Sequence, residues 1–104
     1  MAGGVAVLAH AVQSYLSVRR AAGFLLRDVE LHLRSFAAHS DAKGDLHINS
    51  QSAIEWAREV PSLNQRARRL ADVIRFARYL QAEDAQHEIP SMADCELKIG
   101  RAHV

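Results

Sequence analysis

Hydrophobic positions along the chain recur at steps of three and four, most sharply over residues 63–84, LNQRARRLADVIRFARYLQAED. There Ala67, Leu70, Ile74 and Ala77 fall on one helical face, and Val73, Phe76 and Leu80 widen it. One side of a helix is therefore expected to be buried. An earlier repeat, Leu8, Ala11, Val12, Tyr15 and Leu16, predicts a first helix over about 5–22. Arg19 and Arg20 lie in its last turns, where cations complement the helix dipole, and Gly23 suits a left-handed cap. These two arginines thus have a structural explanation, which we rank ahead of a ligand contact. From Phe24 the pattern restarts through Leu26, Val29, Leu33 and Phe36, with Leu25 and Ala37 beside it, and predicts a second helix to about residue 41. Its outer positions Arg27, Glu30 and Arg34 are mixed in charge, each opposite-charge pair being worth about 0.2–0.5 kcal/mol.

Lys43-Gly44-Asp45 then reads as a turn, and Leu46-His47-Ile48 alternates briefly like an extended segment. Asn49 or Ser50 suits an N-cap, because Ala53, Ile54, Trp56 and Ala57 follow as the inner face of a short helix. Ser52 with Glu55 offers a capping box if that helix starts two residues later. Trp56 is expected in the core or at a seam. Pro61 closes the helix, and Ser62, three residues before Gln65, opens the last one. After Asp84 the periodicity stops. Residues 85–91 are polar and Pro90 breaks any continuation, so 85–97 reads as a linker leaving a domain of residues 5–84. Residues 98–104, KIGRAHV, can be encoded as AAG ATC GGA AGA GCA CAC GTC, which resembles a common sequencing adapter. The native reading frame is accordingly expected to end near Leu97, with 98–104 a non-native tail.

Composition narrows the picture. A chain of 104 residues allows one domain, near the size at which a single core suffices. Aromatic content of 6%, five Gly and two Pro argue against a β-sandwich and leave an all-α fold of four helices. Cys95 is the one cysteine, so nothing points to an oxidising compartment, and the cytoplasm is expected. Val5-Ala6-Val7-Leu8 is broken by His10 and Gln13 and has no preceding Lys or Arg, unlike a signal peptide or a membrane span.

Charge adds more. The whole chain carries a formal +1, yet Arg66, Arg68, Arg69, Arg75 and Arg78 crowd the last helix, opposed there by Asp72, Glu83 and Asp84. A basic stripe on a packed helix suits a polyanion such as DNA. The plainer reading is a solvated face in which Arg68 and Arg75 pair with Asp72 at i,i+4 and i,i+3 spacing. Six histidines form no metal-ligand spacing, only His32 and His39 being able to share a helix face, and no phosphate loop or nucleophile elbow is present. No metal, cofactor or catalytic constellation is expected.

Three segments together resemble the N-terminal core-binding domain of tyrosine recombinases, the phage-type integrases. Tyr15-Leu16-Ser17-Val18-Arg19-Arg20-Ala21-Ala22-Gly23-Phe24 is similar to that family's YLxxRRxxGF entry, and Leu33-Arg34-Ser35-Phe36 to the end of its second helix. Arg69-Leu70-Ala71-Asp72-Val73-Ile74-Arg75-Phe76-Ala77-Arg78-Tyr79-Leu80 resembles its RLxxVRxFARYL signature, so the likeness spans about 5–90. It implies a four-helix, SAM-like bundle forming half of a C-shaped clamp around double-stranded DNA, with the second and fourth helices facing the duplex. Carried over by position, Arg68, Arg69 and Arg75 of the fourth helix and Arg27 of the second are the implied phosphate or groove contacts. Asn64 and Gln65 become base-edge or phosphate donors. Arg78 either caps its helix or faces a partner domain.

Complete recombinases of this family carry a C-terminal domain in which two arginines, a lysine and histidines stabilise the scissile phosphate. A tyrosine there attacks it, forming a 3′-phosphotyrosyl intermediate. This chain ends before such a domain, so the expectation is a fragment that binds and does not cut. Its implied partners are duplex DNA, the missing catalytic domain and further recombinase protomers in a bacterial cytoplasm. His32-Leu33-Arg34 lacks a residue of the family's HxLR box and sits in a helix explained by packing; Tyr15 and Tyr79 read as helix and seam residues. The alternative function is a small helical interaction module whose seam around Trp56, Phe76 and Tyr79 docks a partner helix.

Overall fold

The structure, a computed structural model, describes residues 6–23 and 26–93. Four α-helices account for the regular structure of those residues: α1 (Val7–Ala21), α2 (Arg27–Ala42), α3 (Ser50–Ala57) and α4 (Leu63–Gln81). The predicted all-α class and helix number are thus met. Val5, Phe24, Leu25, Cys95 and the proposed tail 98–104 lie outside the described residues.

Helix ends depart from expectation by a few residues for identifiable reasons. The fourth helix stops at Gln81, not at 84, because Glu83 and Asp84 both turn their amides to Leu80 O. Asn49 is the N-cap of α3, its side chain accepting from the Ser52 amide at 3.1 Å, so the later start through Ser52 and Glu55 is not used. Ser62 caps α4 through the Gln65 amide at 3.2 Å, as its spacing predicts. Residues 46 and 47 form bends and residue 48 is irregular, where the sequence predicts a short extended segment. Gly23 and Gly44 adopt φ of 95° and 83°, the left-handed turns that end α1 and α2. One cap had no local signal: Asp41, at the end of α2, accepts from the Leu8 and Ala9 amides, both at 3.1 Å. A carboxylate on the first turn of α1 satisfies two orphan donors and matches the helix dipole.

Both α2 and α4 touch each of the other three helices, which makes them the centre of the bundle. Leu8, Val12 and Leu16 of α1 meet Leu33 and Phe36 of α2 and Leu70, Val73 and Phe76 of α4, all buried. On α4 the buried stripe is centred on Leu70, Val73, Phe76 and Ala77, while Ile74 and Leu80 are only partly covered. Trp56 is fully buried, edge-on to Phe36 at 5.5 Å between centroids, with its indole N–H donating to Ser35 Oγ at 2.9 Å. A buried tryptophan needs that partner for its one polar atom. Tyr15 lies between Phe76 and Tyr79, 5.2 and 5.0 Å away.

The stretch after α4, where the sequence shows no periodicity, is tied back to the loop before α3. Ile48 donates its amide to His87 Nδ1 at 3.0 Å, and its carbonyl accepts from the Glu88 amide at 2.9 Å. Glu88 Oε1 takes the Ser50 amide at 2.8 Å, and Gln81 Nε2 holds His87 O at 2.9 Å. His87 and Pro90 are buried, and Ile89 and Met92 pack on the core. Because Nδ1 of His87 accepts a hydrogen bond, the ring there must be neutral. Burial pushes its pKa below the usual histidine value, nearby His47 adds to the effect and Asp84 opposes it.

Candidate nucleic-acid interface

Residues seven apart on a helix return to nearly the same face two turns on, and those four apart lie between them. Arg68, Asp72 and Arg75 therefore form a row along α4, and Asp28 and His32 form a row along α2. The two rows line an open cleft. One stretch of it, about 320 Å³, is bounded by Asp28, His32, Val60, Gln65, Arg68 and Arg69. A second, about 360 Å³, shares Asp28, His32 and Arg68 and adds Val29, Ala71, Asp72 and Arg75.

The five arginines of the α4 stripe divide by face. Arg68 and Arg75 have side chains 63% and 61% exposed, and each has one acidic neighbour: Arg68 lies 3.9 Å from Asp28 and Arg75 3.4 Å from Asp72. The pairing of Arg75 with Asp72 is as the plainer sequence reading expects, whereas Arg68 turns to Asp28 on α2. Arg66 instead donates through Nε to Val60 O at 2.6 Å. Arg69 stacks on the Trp56 ring at 4.0 Å and donates to Trp56 O at 3.0 Å, with Ser35 Oγ at 3.4 Å. Burial lowers the Arg69 pKa from its usual value, and Glu59 opposes this; a guanidinium stays charged nonetheless. Arg78 is exposed on the last turns of α4.

Of the remaining predicted residues, Gln65 lines the cleft, and Arg27 is exposed next to Asp28 at its α2 edge. Asn64 is exposed on the first turn of α4 but is not among the residues lining the cleft. The cleft walls carry three arginines, Arg68, Arg69 and Arg75, against two aspartates, Asp28 and Asp72. The sequence reading places Arg27 of α2 at the site but not Asp28 or His32, which line the cleft. His32 holds Asp72 through Nδ1 at 2.6 Å, and Asp72 is nearly buried although it looked like one member of a charged outer face. The available signal was the i,i+4 spacing of Asp28 and His32 on the polar side of α2. Among the described residues no group of three His, Cys, Asp or Glu side chains is placed to hold a metal ion. No helix among them is long and apolar enough to cross a membrane.

The structure is thus an all-α bundle whose two central helices border an arginine-rich cleft. The chain is 43% identical over 83 residues to the protein named "Putative integrase/recombinase y4rB" from Sinorhizobium fredii (strain NBRC 101917 / NGR234). That alignment covers 77% of this chain and 26% of the relative, so the chain spans about a quarter of the length of the protein it matches. The likeness supports an integrase/recombinase family for the chain. No family model matches it. No solved structure matches it either.

Proposed function

We propose that this chain is the DNA-binding clamp domain of a tyrosine recombinase that integrates or rearranges DNA. In this reading the α2/α4 cleft lies against the duplex. Arg68 and Arg75 neutralise phosphates, Arg27 extends the contact along α2, and Asn64 and Gln65 donate from the start of α4. Arg69 adds its charge to the cleft wall while anchored on Trp56. The domain binds; strand cleavage and rejoining belong to the rest of the parent recombinase, acting with its other protomers on DNA in the bacterial cytoplasm.

The observation that carries this reading is the exposure of Arg68 and Arg75, two turns apart on one face of α4, along a cleft shared with α2. The similarity to an integrase/recombinase supports it. The competing docking-seam reading loses its surface, because Trp56 and Phe76 are fully buried and Tyr79 packs on Tyr15.

A salt series of duplex-DNA binding by the 104-residue chain tests the proposal, beside an Arg68→Ala/Arg75→Ala variant. Each phosphate neutralised contributes about −0.9 to the slope of log affinity against log salt, and non-specific contacts give Kd on the order of 10⁻⁴–10⁻⁶ M. The variant should therefore lose about 1.8 from the slope. A folded chain that ignores DNA even at the lowest salt would sink the reading.

A further inference from the structure

Resting on the DNA-binding reading above, we infer that His32 is a phosphate-contacting residue of the cleft, positioned by the buried Asp72 carboxylate, and that duplex binding takes up a proton there.

The geometry begins with Asp72. Its side chain is only 11% exposed, with Oδ2 2.6 Å from His32 Nδ1 and Oδ1 3.4 Å from Arg75 Nη1. An ionised carboxylate only accepts hydrogen bonds, so Nδ1 of His32 carries the hydrogen and donates it. This fixes both the tautomer and the plane of the ring, in the way a carboxylate orients a histidine at functional sites. Nε2, on the opposite side of the ring, makes no hydrogen bond to any described residue. The His32 side chain is 27% exposed and lines both stretches of the cleft beside Arg68. It is therefore within reach of whatever Arg68 contacts.

Charge then decides which form of the ring is bound. From α2, Asp28 faces the ring one turn away; from α4, Asp72 faces it together with Arg68, Arg69 and Arg75. Two carboxylates favour the imidazolium and three guanidiniums oppose it. A backbone phosphate entering the cleft adds a third negative charge and shifts that balance toward the protonated ring. The proton comes from solvent and resides on Nε2, which turns an acceptor into a donor aimed at a phosphate oxygen. Nδ1–H of His32 stays bonded to the Asp72 carboxylate. A leucine at this position would leave the phosphate without that donor, and a glutamine could donate only from an uncharged amide.

Linkage makes this measurable. If one proton is taken up, affinity rises as pH falls, by at most about tenfold per pH unit across the range in which imidazoles change charge. Binding of a fluorescent duplex by the full 104-residue chain, followed from pH 8 to pH 6 at constant salt, should strengthen more than in His32→Gln. At pH 6 the unaltered chain should also show a salt slope about 0.9 steeper than the variant. His32→Lys should keep that steeper slope at pH 8, where the unaltered chain has lost it. Thermal melts by circular dichroism establish that each variant is folded.

Calorimetry of the unaltered chain in two buffers of different ionisation enthalpy counts the protons directly and needs no variant. Binding near pH 6.5 without proton uptake would overturn the inference, as would identical pH profiles in the chain and folded His32→Gln, and both results leave DNA binding itself standing. Failure of the unaltered chain to bind DNA at any pH or salt would overturn the DNA-binding reading and this inference with it.

Discussion

Among the described residues histidine meets aspartate twice, once in the α2/α4 cleft and once in the corner where the chain after α4 returns to Ile48. In the cleft the carboxylate of Asp72 is nearly buried and the His32 ring is partly exposed. In the corner His87 is the buried group, accepting the Ile48 amide. Its neighbour His47 lies edge-on at 5.0 Å and carries the contact to the half-exposed Asp84 at 3.0 Å. Which partner is buried decides what the ring can do. Beside a buried carboxylate an imidazole becomes a donor with a second nitrogen turned outward. Against a buried backbone N–H it becomes an acceptor that must stay neutral. In the cleft the ring thus keeps a nitrogen without a hydrogen bond to the described residues, whereas in the corner it holds the chain to itself.

The largest expected effect should strike both regions alike, because they share one core. Leu70 is fully buried in α4, and Leu70→Ala should cost about 2–5 kcal/mol in a denaturant titration. A loss below about 1 kcal/mol would show that α4 faces otherwise than described.

Next in size is a change confined to the corner. His87→Ala removes the acceptor of a buried amide, which should cost about 1–3 kcal/mol. Its pH dependence has a definite sign. Burial lowers the folded-state pKa of His87 from 6.5, so the unfolded chain binds the proton more readily. The stability contributed by neutral His87 is fully present above pH 6.5 and is lost as pH falls from there through the lower folded-state value. Protection of the Ile48 amide, taken relative to its intrinsic exchange rate at each pH, should therefore fall on acidification in a way that His87→Ala, already open there, does not reproduce. Protection of Ile48 that is unchanged by acid would show that His87 does not hold this amide, and the contrast with His32 would then disappear.

The difference between the regions also explains what the sequence could tell. Repeats such as Leu8, Val12, Leu16 and Leu33, Phe36 predict the helices because burial on a helix has a period. The caps at Asn49 and Ser62 are local and could be read for the same reason. Contacts that cross between elements leave no period. Asp41 reaching the start of α1, His87 reaching Ile48, and His32 reaching Asp72 join residues 33, 39 and 40 positions apart. The candidate cleft was accordingly half legible: the α4 arginines announced themselves as a charged stripe, and the α2 residues that face Arg68 and Asp72 did not. Within the stripe, charge along a sequence does not say which arginines the fold also uses internally, as it does Arg66 and Arg69.

That last point supplies the smallest and sharpest measurement, on two adjacent arginines that a sequence cannot tell apart. Arg68 is exposed, with one distant acidic neighbour, and an exposed ion pair contributes about 0–1 kcal/mol. Arg68→Ala should therefore leave stability within about 0.5 kcal/mol of the unaltered chain. Arg69→Ala removes the same charge together with the guanidinium stacked on Trp56 and its bond to Trp56 O. A partly desolvated cation over a tryptophan face is worth about 0.5–2 kcal/mol, so the second variant should unfold measurably earlier. DNA affinity should respond in the opposite order, Arg68→Ala lowering the salt slope by about 0.9 and Arg69→Ala by less, because Arg69 is committed to the indole. Equal stability losses would mean that the stack on Trp56 is idle. Equal losses of salt slope would move Arg69 from the wall of the cleft into its contact surface, and the division of the stripe into internal and ligand-facing arginines would have to be redrawn between Arg66 and Arg69.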